Sequence, residues 1–424
     1  MTDEPKSLRA LSCADDCDPN SMSVQKARTF IRTFLQPVKG VERVALRAAL
    51  GRVLAAEVVS PMQVPAHDNS AMDGYAVRSD DLSADGEVVL KVIGTSYAGA
   101  CYNGPVGPGE CVRIMTGAKI PPGTDAVVIQ EEVQPEGDTV RVGTGYRKGL
   151  NLRRAGEDIE VGQTVLRPGT WIRPADLGLV ASLGIAELSV YRRLRVAFFS
   201  TGDELRSIGS PLEEGQIYDS NRYTIYGMLT RLGCEVIDMG VVRDDPTLLE
   251  AAFREAAAMA DVIITSGGVS VGEADFTKDL LDRLGEVLFW KIAMKPGRPL
   301  AYGKVGNAQF FGLPGNPVSV MVTFYEFVRD ALLVLTGRTD VTPLPALQVP
   351  CVSPLKKARG RTEFQRGVLF QDEAGTWKVR VTGDQGSGIL RSMSEANCFI
   401  LLPESQGNVA PGTPVDVQLM EGLI

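Results

Sequence analysis

The spacing of apolar and polar positions changes character several times along the chain. Apolar residues recur at helical intervals over residues 24–35, and a second helix is predicted over 42–50, closed by Gly51. From residue 60 to about 162, short β-rich runs such as 88–92 and 126–129 alternate with Gly and Pro turns, which predicts a small β domain. Residues 163–192 hold a helix after Pro174 and a strand over 185–191, read as returning to the first helices. From Arg195 to Gly337, predicted strands at 196–199, 235–239, 262–265, 287–292, 300–302 and 309–311 alternate with helices at 222–232, 246–259, 276–284 and 317–335. Continuous apolar strands between helices predict a mostly parallel sheet covered on both faces. After Pro343 short strands and turns return, predicting a second β domain of barrel type.

The fold class is therefore multidomain, α/β plus all-β. Residues 1–22 are expected to be a disordered leader, being polar and without periodicity. Residues 23–59 with 163–194 form a discontinuous first domain, 60–162 a β-rich second, 195–340 an α/β third and 341–424 a β-barrel fourth.

Composition narrows the function. The formal net charge of -8 disfavours a nucleic-acid partner, which would need a basic face. Seven cysteines, an odd number without a CxxC pair, fit a reducing compartment and a cytoplasmic protein. No secretory signal precedes Met22, and the longest apolar stretch carries Glu326, Arg329 and Asp330, so no membrane span is expected. His67 is the only histidine, which rules out a multi-histidine zinc site and leaves one candidate for any Ser-His or Cys-His mechanism. No GxSxG elbow accompanies it, so a loop or packing role is expected.

The candidate chemistry follows the strands of the α/β region. Four polar turns are expected at one edge: Ser200 to Leu205, Arg243 to Pro246, Ser266 to Asp275, and Gly312 to Pro317 with Pro314 and Asn316. Parallel sheets bind ligands at that edge. Ser266, Gly267, Gly268 and Ser270 precede a helix, where small residues and a helix N-terminus can cradle an oxyanion; the segment is neither a Walker motif nor a dinucleotide fingerprint. Glu204, Asp244 and Asp275 bring carboxylates to the same edge, as Mg²⁺ ligands bridging phosphate or as solvated surface acids. Asp203, Asp245 and Asp275 also read as helix N-caps. Lys291, Lys295 and Arg298 supply cations on a segment stiffened by Pro296 and Pro299, suited to an anion or to a charged surface loop.

Taken together, Asp68 to Ala76, Arg113 to Gly117, Arg153 to Asp158, Ser200 to Leu205, Ser266 to Asp275, Lys291 to Pro299, Gly312 to Pro317 and Phe364 to Gly367 resemble the MoeA family and the E domain of gephyrin. The resemblance runs from about Met22 onward. It implies an elongated first domain, a molybdopterin-binding third domain and a homodimer whose cleft joins the third domain of one subunit to the second domain of the other. The family consumes adenylated molybdopterin and molybdate with Mg²⁺, releasing AMP. By the same resemblance Asp73 and Thr116 contribute from the partner chain. Glu204, Asp244 and Asp275 serve metal and phosphate, Lys291 and Lys295 neutralise charge, and Arg366 and Ser387 help hold molybdate. It also offers the molybdopterin adenylyltransferase as a protein partner. Two rival readings are a binding scaffold and adenylation of molybdopterin itself; enzymes of the latter kind are a single α/β domain.

Overall fold

The computed structural model describes residues 22–268 and 275–420. Its centre is a six-stranded sheet whose order is Glu235–Val242, Arg195–Thr201, Val262–Ser266, Ala308–Leu313, Pro299–Val305, Gly285–Lys291. The first four strands are parallel, Pro299–Val305 runs opposite to them, and Gly285–Lys291 runs opposite to Pro299–Val305. Alternation along Arg195–Thr201 explains how both faces are covered. Val196 and Phe198 enter one core with Ile225, Met228 and Val320, while Ala197 and Phe199 enter a second with Leu249 and Phe253. The helices Ser220–Arg231 and Pro246–Met259 lie on these opposite faces. Because the first four strands run in one direction, their carboxyl ends fall on a single edge.

The predicted second helix over 42–50 is not formed. Val41–Ala45 is a strand paired with Glu187–Tyr191, followed by a 3₁₀ turn at Leu46–Ala49. The helical spacing of the apolar residues is overridden by an antiparallel partner that lies about 140 residues away and is invisible to local pattern. Val58–Val59 likewise pairs with Thr164–Leu166. The helix Val24–Thr33 buries Val24, Ala27 and Ile31 in the same core as Phe198, Trp290 and Phe324, so its apolar stripe belongs to the α/β core. Its periodicity predicts a buried stripe but not the surface that buries it.

The β-rich region is a six-stranded sheet ordered Ala126–Ile129, Gly74–Val77, Glu110–Ile114, Val88–Ser96, Thr139–Val142, Val133–Glu136. The C-terminal strands close on themselves. Leu347–Pro350, Pro414–Leu419, Cys398–Leu402, Thr362–Gln371 and Trp377–Val381 pair in sequence, and a bridge from Cys351 to Val379 completes the ring. The short strand Met294–Lys295 pairs with Thr362 and Glu363, and Phe364, Met393 and Phe399 join the α/β core. The barrel is thus fused to the sheet by backbone and by packing. The predicted helix over 317–335 is interrupted by a π turn at Phe324–Val328.

Candidate active site

The turns after the four parallel strands meet around one cleft of about 520 Å³. Its lining takes Thr201 and Glu204 from the first turn, Asp244 from the second, Ser266, Gly267 and Gly268 from the third, and Pro314, Gly315 and Asn316 from the fourth. Local chemistry fixes these turns. Gly267 has φ +91° and a Cβ there would lie 2.5 Å from the Thr201 carbonyl oxygen; Gly268 has φ +68° with Thr201 Oγ1 at 2.9 Å. Only glycine lets the third turn pass this close to the first. The Gly267 N–H donates to the Leu313 carbonyl at 3.1 Å, so Gly267 is required for space and not as an oxyanion donor.

A second set of residues, missed in the sequence, organises the cleft. Asp219 caps the helix Ser220–Arg231, its Oδ1 accepting from the Arg222 N–H at 3.1 Å. Asn221 donates through Nδ2 to Ser266 Oγ at 2.8 Å and to the Gly315 carbonyl at 2.7 Å, tying the third turn to the fourth. Both side chains line the cleft, at 2% and 8% exposure. Asp219 Oδ2, Asn221 Oδ1 and Thr201 Oγ1 are buried and have no hydrogen-bond partner. Buried polar atoms are rarely left unpaired, so three in one cleft mark it as a place completed by a ligand. The only sequence signal was Asp-Ser-Asn ahead of a helix, which reads equally well as a plain cap.

The cap readings divide. Asp245 Oδ1 does accept from Thr247 and Leu248 N–H at 2.9 and 3.0 Å, capping Pro246–Met259. Asp203 caps nothing: the short strand Leu205–Arg206 follows it, and the next helix starts at Ser220. Asp275 opens the helix Asp275–Leu284 at the same edge, but its side chain lies outside the described residues, as does Ser270. Among the described residues no group of three acidic, Cys or His side chains is placed to hold a metal unaided.

None of the expected cations is among the residues that line the cleft. Lys291 ends its strand in register with Pro299, which lines the cleft. Lys295 is exposed on the strand that meets the barrel, and Arg298 is exposed with its carbonyl accepting from Ile292 N–H at 2.6 Å. Arg366 is 1% exposed; its Nε donates to Ser392 Oγ at 3.0 Å and its Nη2 to the Gly386 carbonyl at 2.9 Å. Burial pushes its guanidinium down to about 10, and among the described residues it makes no salt bridge. The carbonyl of Ser387 accepts from Val318 N–H at 3.1 Å, which fastens the barrel turn held by Arg366 to the helix beginning at Pro317 beside the cleft.

In the β-rich sheet, Thr116 donates through both N–H and Oγ1 to Asp73 Oδ1, each at 2.7 Å, and these bonds hold the Asp73 carboxyl below its usual range. Neither residue lines the cleft of its own chain. Asp68 accepts from the Ala155 N–H at 2.8 Å and from Arg154 Nη1 at 2.6 Å, joining two of the polar motifs into one corner; His67 is exposed beside it.

Three family models match the chain in order. They are "MoeA N-terminal region (domain I and II)" over residues 22–184, "Probable molybdopterin binding domain" over 197–334 and "MoeA C-terminal region (domain IV)" over 348–420. A Haemophilus influenzae protein named molybdopterin molybdenumtransferase is 45% identical over 404 residues, covering 95% of this chain and 100% of that one. Molybdopterin molybdenumtransferase 2 of Mycobacterium tuberculosis is 38% identical, covering 93% of this chain and 98% of that one. The crystal structure of the molybdopterin biosynthesis moeA protein from Pyrococcus horikoshii OT3 superposes with a TM-score of 0.82 at 30% identity, covering 94% of this chain and 100% of that chain. Agreement in domain order, in sequence over nearly the full length and in fold leads to one conclusion: the chain belongs to the MoeA family.

Proposed function

We propose that this chain is a molybdopterin molybdenumtransferase of molybdenum cofactor biosynthesis, which takes adenylated molybdopterin and molybdate, releases AMP with Mg²⁺ and leaves molybdenum on the dithiolene sulfurs. The names of its relatives support the transferase reading over a scaffold or an adenylating enzyme. The observation that carries the finer reading is the sign of the cleft. Glu204, Asp219 and Asp244 line it, and among the described residues no Lys or Arg does. An anhydride of phosphates would be repelled by such a lining unless a cation came with it.

Hard carboxylate oxygens beside an oxyanion site suit Mg²⁺, which uses one or two carboxylates and completes its shell with phosphate oxygens and water. Glu204, Asp244 and Asp275 would hold the ion, and when bound it supplies charge neutralisation and polarisation of the phosphoanhydride. The chain's own side chains do the rest. Ser266 and Gly268 with Pro314 and Asn316 bound the space for the phosphates, and Asn221 keeps the two turns together. Lys291 and Arg298 meet charge developing at the rim. Molybdate is a dianion, and the buried Arg366, which makes no salt bridge among the described residues although Asp384 acts on it electrostatically, adds a positive field for it beside Lys295 and Ser387. Asp73 and Thr116 act from a second copy of the chain in a homodimer. A molybdopterin adenylyltransferase would supply the substrate. A cytoplasmic setting suits these reactants, and no helix among the described residues is long and apolar enough to cross a membrane.

The test is AMP release from adenylated molybdopterin, followed with and without molybdate and Mg²⁺. Release above a no-enzyme control that requires both additions is the expected outcome; none above the control rejects the proposal.

A further inference from the structure

The cleft has two chemically different ends. Phosphate and molybdate oxygens accept hydrogen bonds at neutral pH and donate none, so of the three unpartnered atoms in the cleft they can satisfy the Thr201 hydroxyl but neither Asp219 Oδ2 nor Asn221 Oδ1. The Asn221 amide cannot be turned round to donate there. Its nitrogen faces the Gly315 carbonyl at 2.7 Å, and exchange would set oxygen against oxygen. Asp219 Oδ1 is already engaged in capping the helix. What remains is a pair of acceptors, one charged and one neutral, borne by the N-cap and the second helical residue of one turn. Each side chain is more than nine-tenths buried and both line the same cleft.

We infer that Asp219 and Asn221 are specificity-determining residues that read the paired N–H donors of a 2-amino-4-oxo heterocycle, the pyrimidine edge of a pterin. This rests on the reading of the cleft as a molybdopterin site. Such a ring offers a ring N–H beside an amino group, two adjacent donors matching two acceptors. Adenine offers a donor beside an acceptor, so the same pair would reject it at this end and leave the adenylate to the opposite end. A site built to bond specific donors discriminates strongly against analogues lacking one, because its own buried atoms then stay unpaired.

The probes are 6-hydroxymethylpterin and 6-hydroxymethyl-lumazine, in which the 2-amino donor is replaced by a carbonyl acceptor. Affinities are read by fluorescence quenching on the full chain, with AMP plus Mg²⁺ binding measured in parallel. The wild type is expected to favour the pterin by at least about tenfold, the scale of one well-made hydrogen bond to a buried group. Asp219→Asn and Asp219→Ser keep a capping oxygen but withdraw the free carboxylate oxygen. Both should bring the pterin-to-lumazine ratio to within about twofold while leaving thermal stability in place. A wild-type ratio near one, or a ratio unchanged in both variants, overturns the inference. A parallel loss of both probes would show that Asp219 shapes the pocket without reading the 2-amino group and also overturns it. If AMP binds with Mg²⁺ but the pterin does not, only the subsite fails; if neither binds, the reading of the cleft fails with it.

Discussion

Two hollows of similar size lie in this molecule, and they treat buried carboxylates in opposite ways. The cleft at the strand ends measures about 520 Å³, and a groove between the helix Val24–Thr33 and the interrupted helix after Pro317 measures about 460 Å³. In the groove, Glu326 is 1% exposed at the π turn, and Arg28 binds its Oε2 and its carbonyl oxygen. Arg28 meets one carboxylate oxygen inside the chain, while Oε1 has no partner. In the cleft, Asp219 is 2% exposed, takes part in no salt bridge among the described residues and keeps Oδ2 without a hydrogen-bond partner, while Glu204 stands on the same wall. Volume alone would not separate these two places. The difference is that Glu326 is met by a guanidinium in direct contact, whereas Asp219 receives only a backbone N–H on one oxygen and turns the other toward the cleft.

The contrast predicts that variants in the cleft cost activity and variants in the groove cost stability. The largest expected effect is from Asp244→Ala. It should lower kcat/KM for AMP release on the order of 10³-fold, the scale of a lost metal-phosphate contact, with little change in melting temperature because the residue is exposed. Full activity in that variant would erase the distinction. Arg28→Met should leave Glu326 buried without its cation and cost about 3–5 kcal/mol of stability by calorimetry, with turnover per folded molecule retained. Gly267→Ala joins both behaviours, since the added Cβ meets the Thr201 carbonyl at a φ that disfavours alanine. It should destabilise by about 1–3 kcal/mol and weaken AMP binding as well.

The smallest effect is the pH dependence of the groove. Burial pushes the Glu326 carboxyl up to about 7, opposed by the Arg28 guanidinium. With the folded value above the unfolded one, the folded state binds the proton more tightly. This contribution is therefore fully present below the ordinary glutamate range and is lost as pH rises toward about 7. Glu326→Gln should flatten the stability profile in that window, by at most about 1.4 kcal/mol per pH unit. An unchanged slope would show that Arg28 holds Glu326 ionised throughout.

The sequence displayed the wall of the cleft better than its contents. Apolar runs ending in Ser200, Ser266 and Gly312 placed three turns on one edge because parallel strands leave long uniform apolar signatures, and Glu204 and Asp244 came with their turns. Asp219 and Asn221 stayed hidden because capping and ligand binding use the same residue types at the same helix position. For Arg366 the resemblance implies a hold on molybdate but says nothing of its bonds to Ser392 and Gly386; strand alternation in a barrel does not tell which inward residue meets solvent. The strand Val41–Ala45 was misread because its partner lies far along the chain.

The central claim is that an acidic cleft receives an anionic ligand only together with a divalent cation. Titrating AMP into the protein with and without Mg²⁺ tests it most directly. Affinity should rise at least about tenfold with Mg²⁺ in the wild type and not in Asp244→Ala. Equal AMP affinity in the presence and absence of the ion would contradict it.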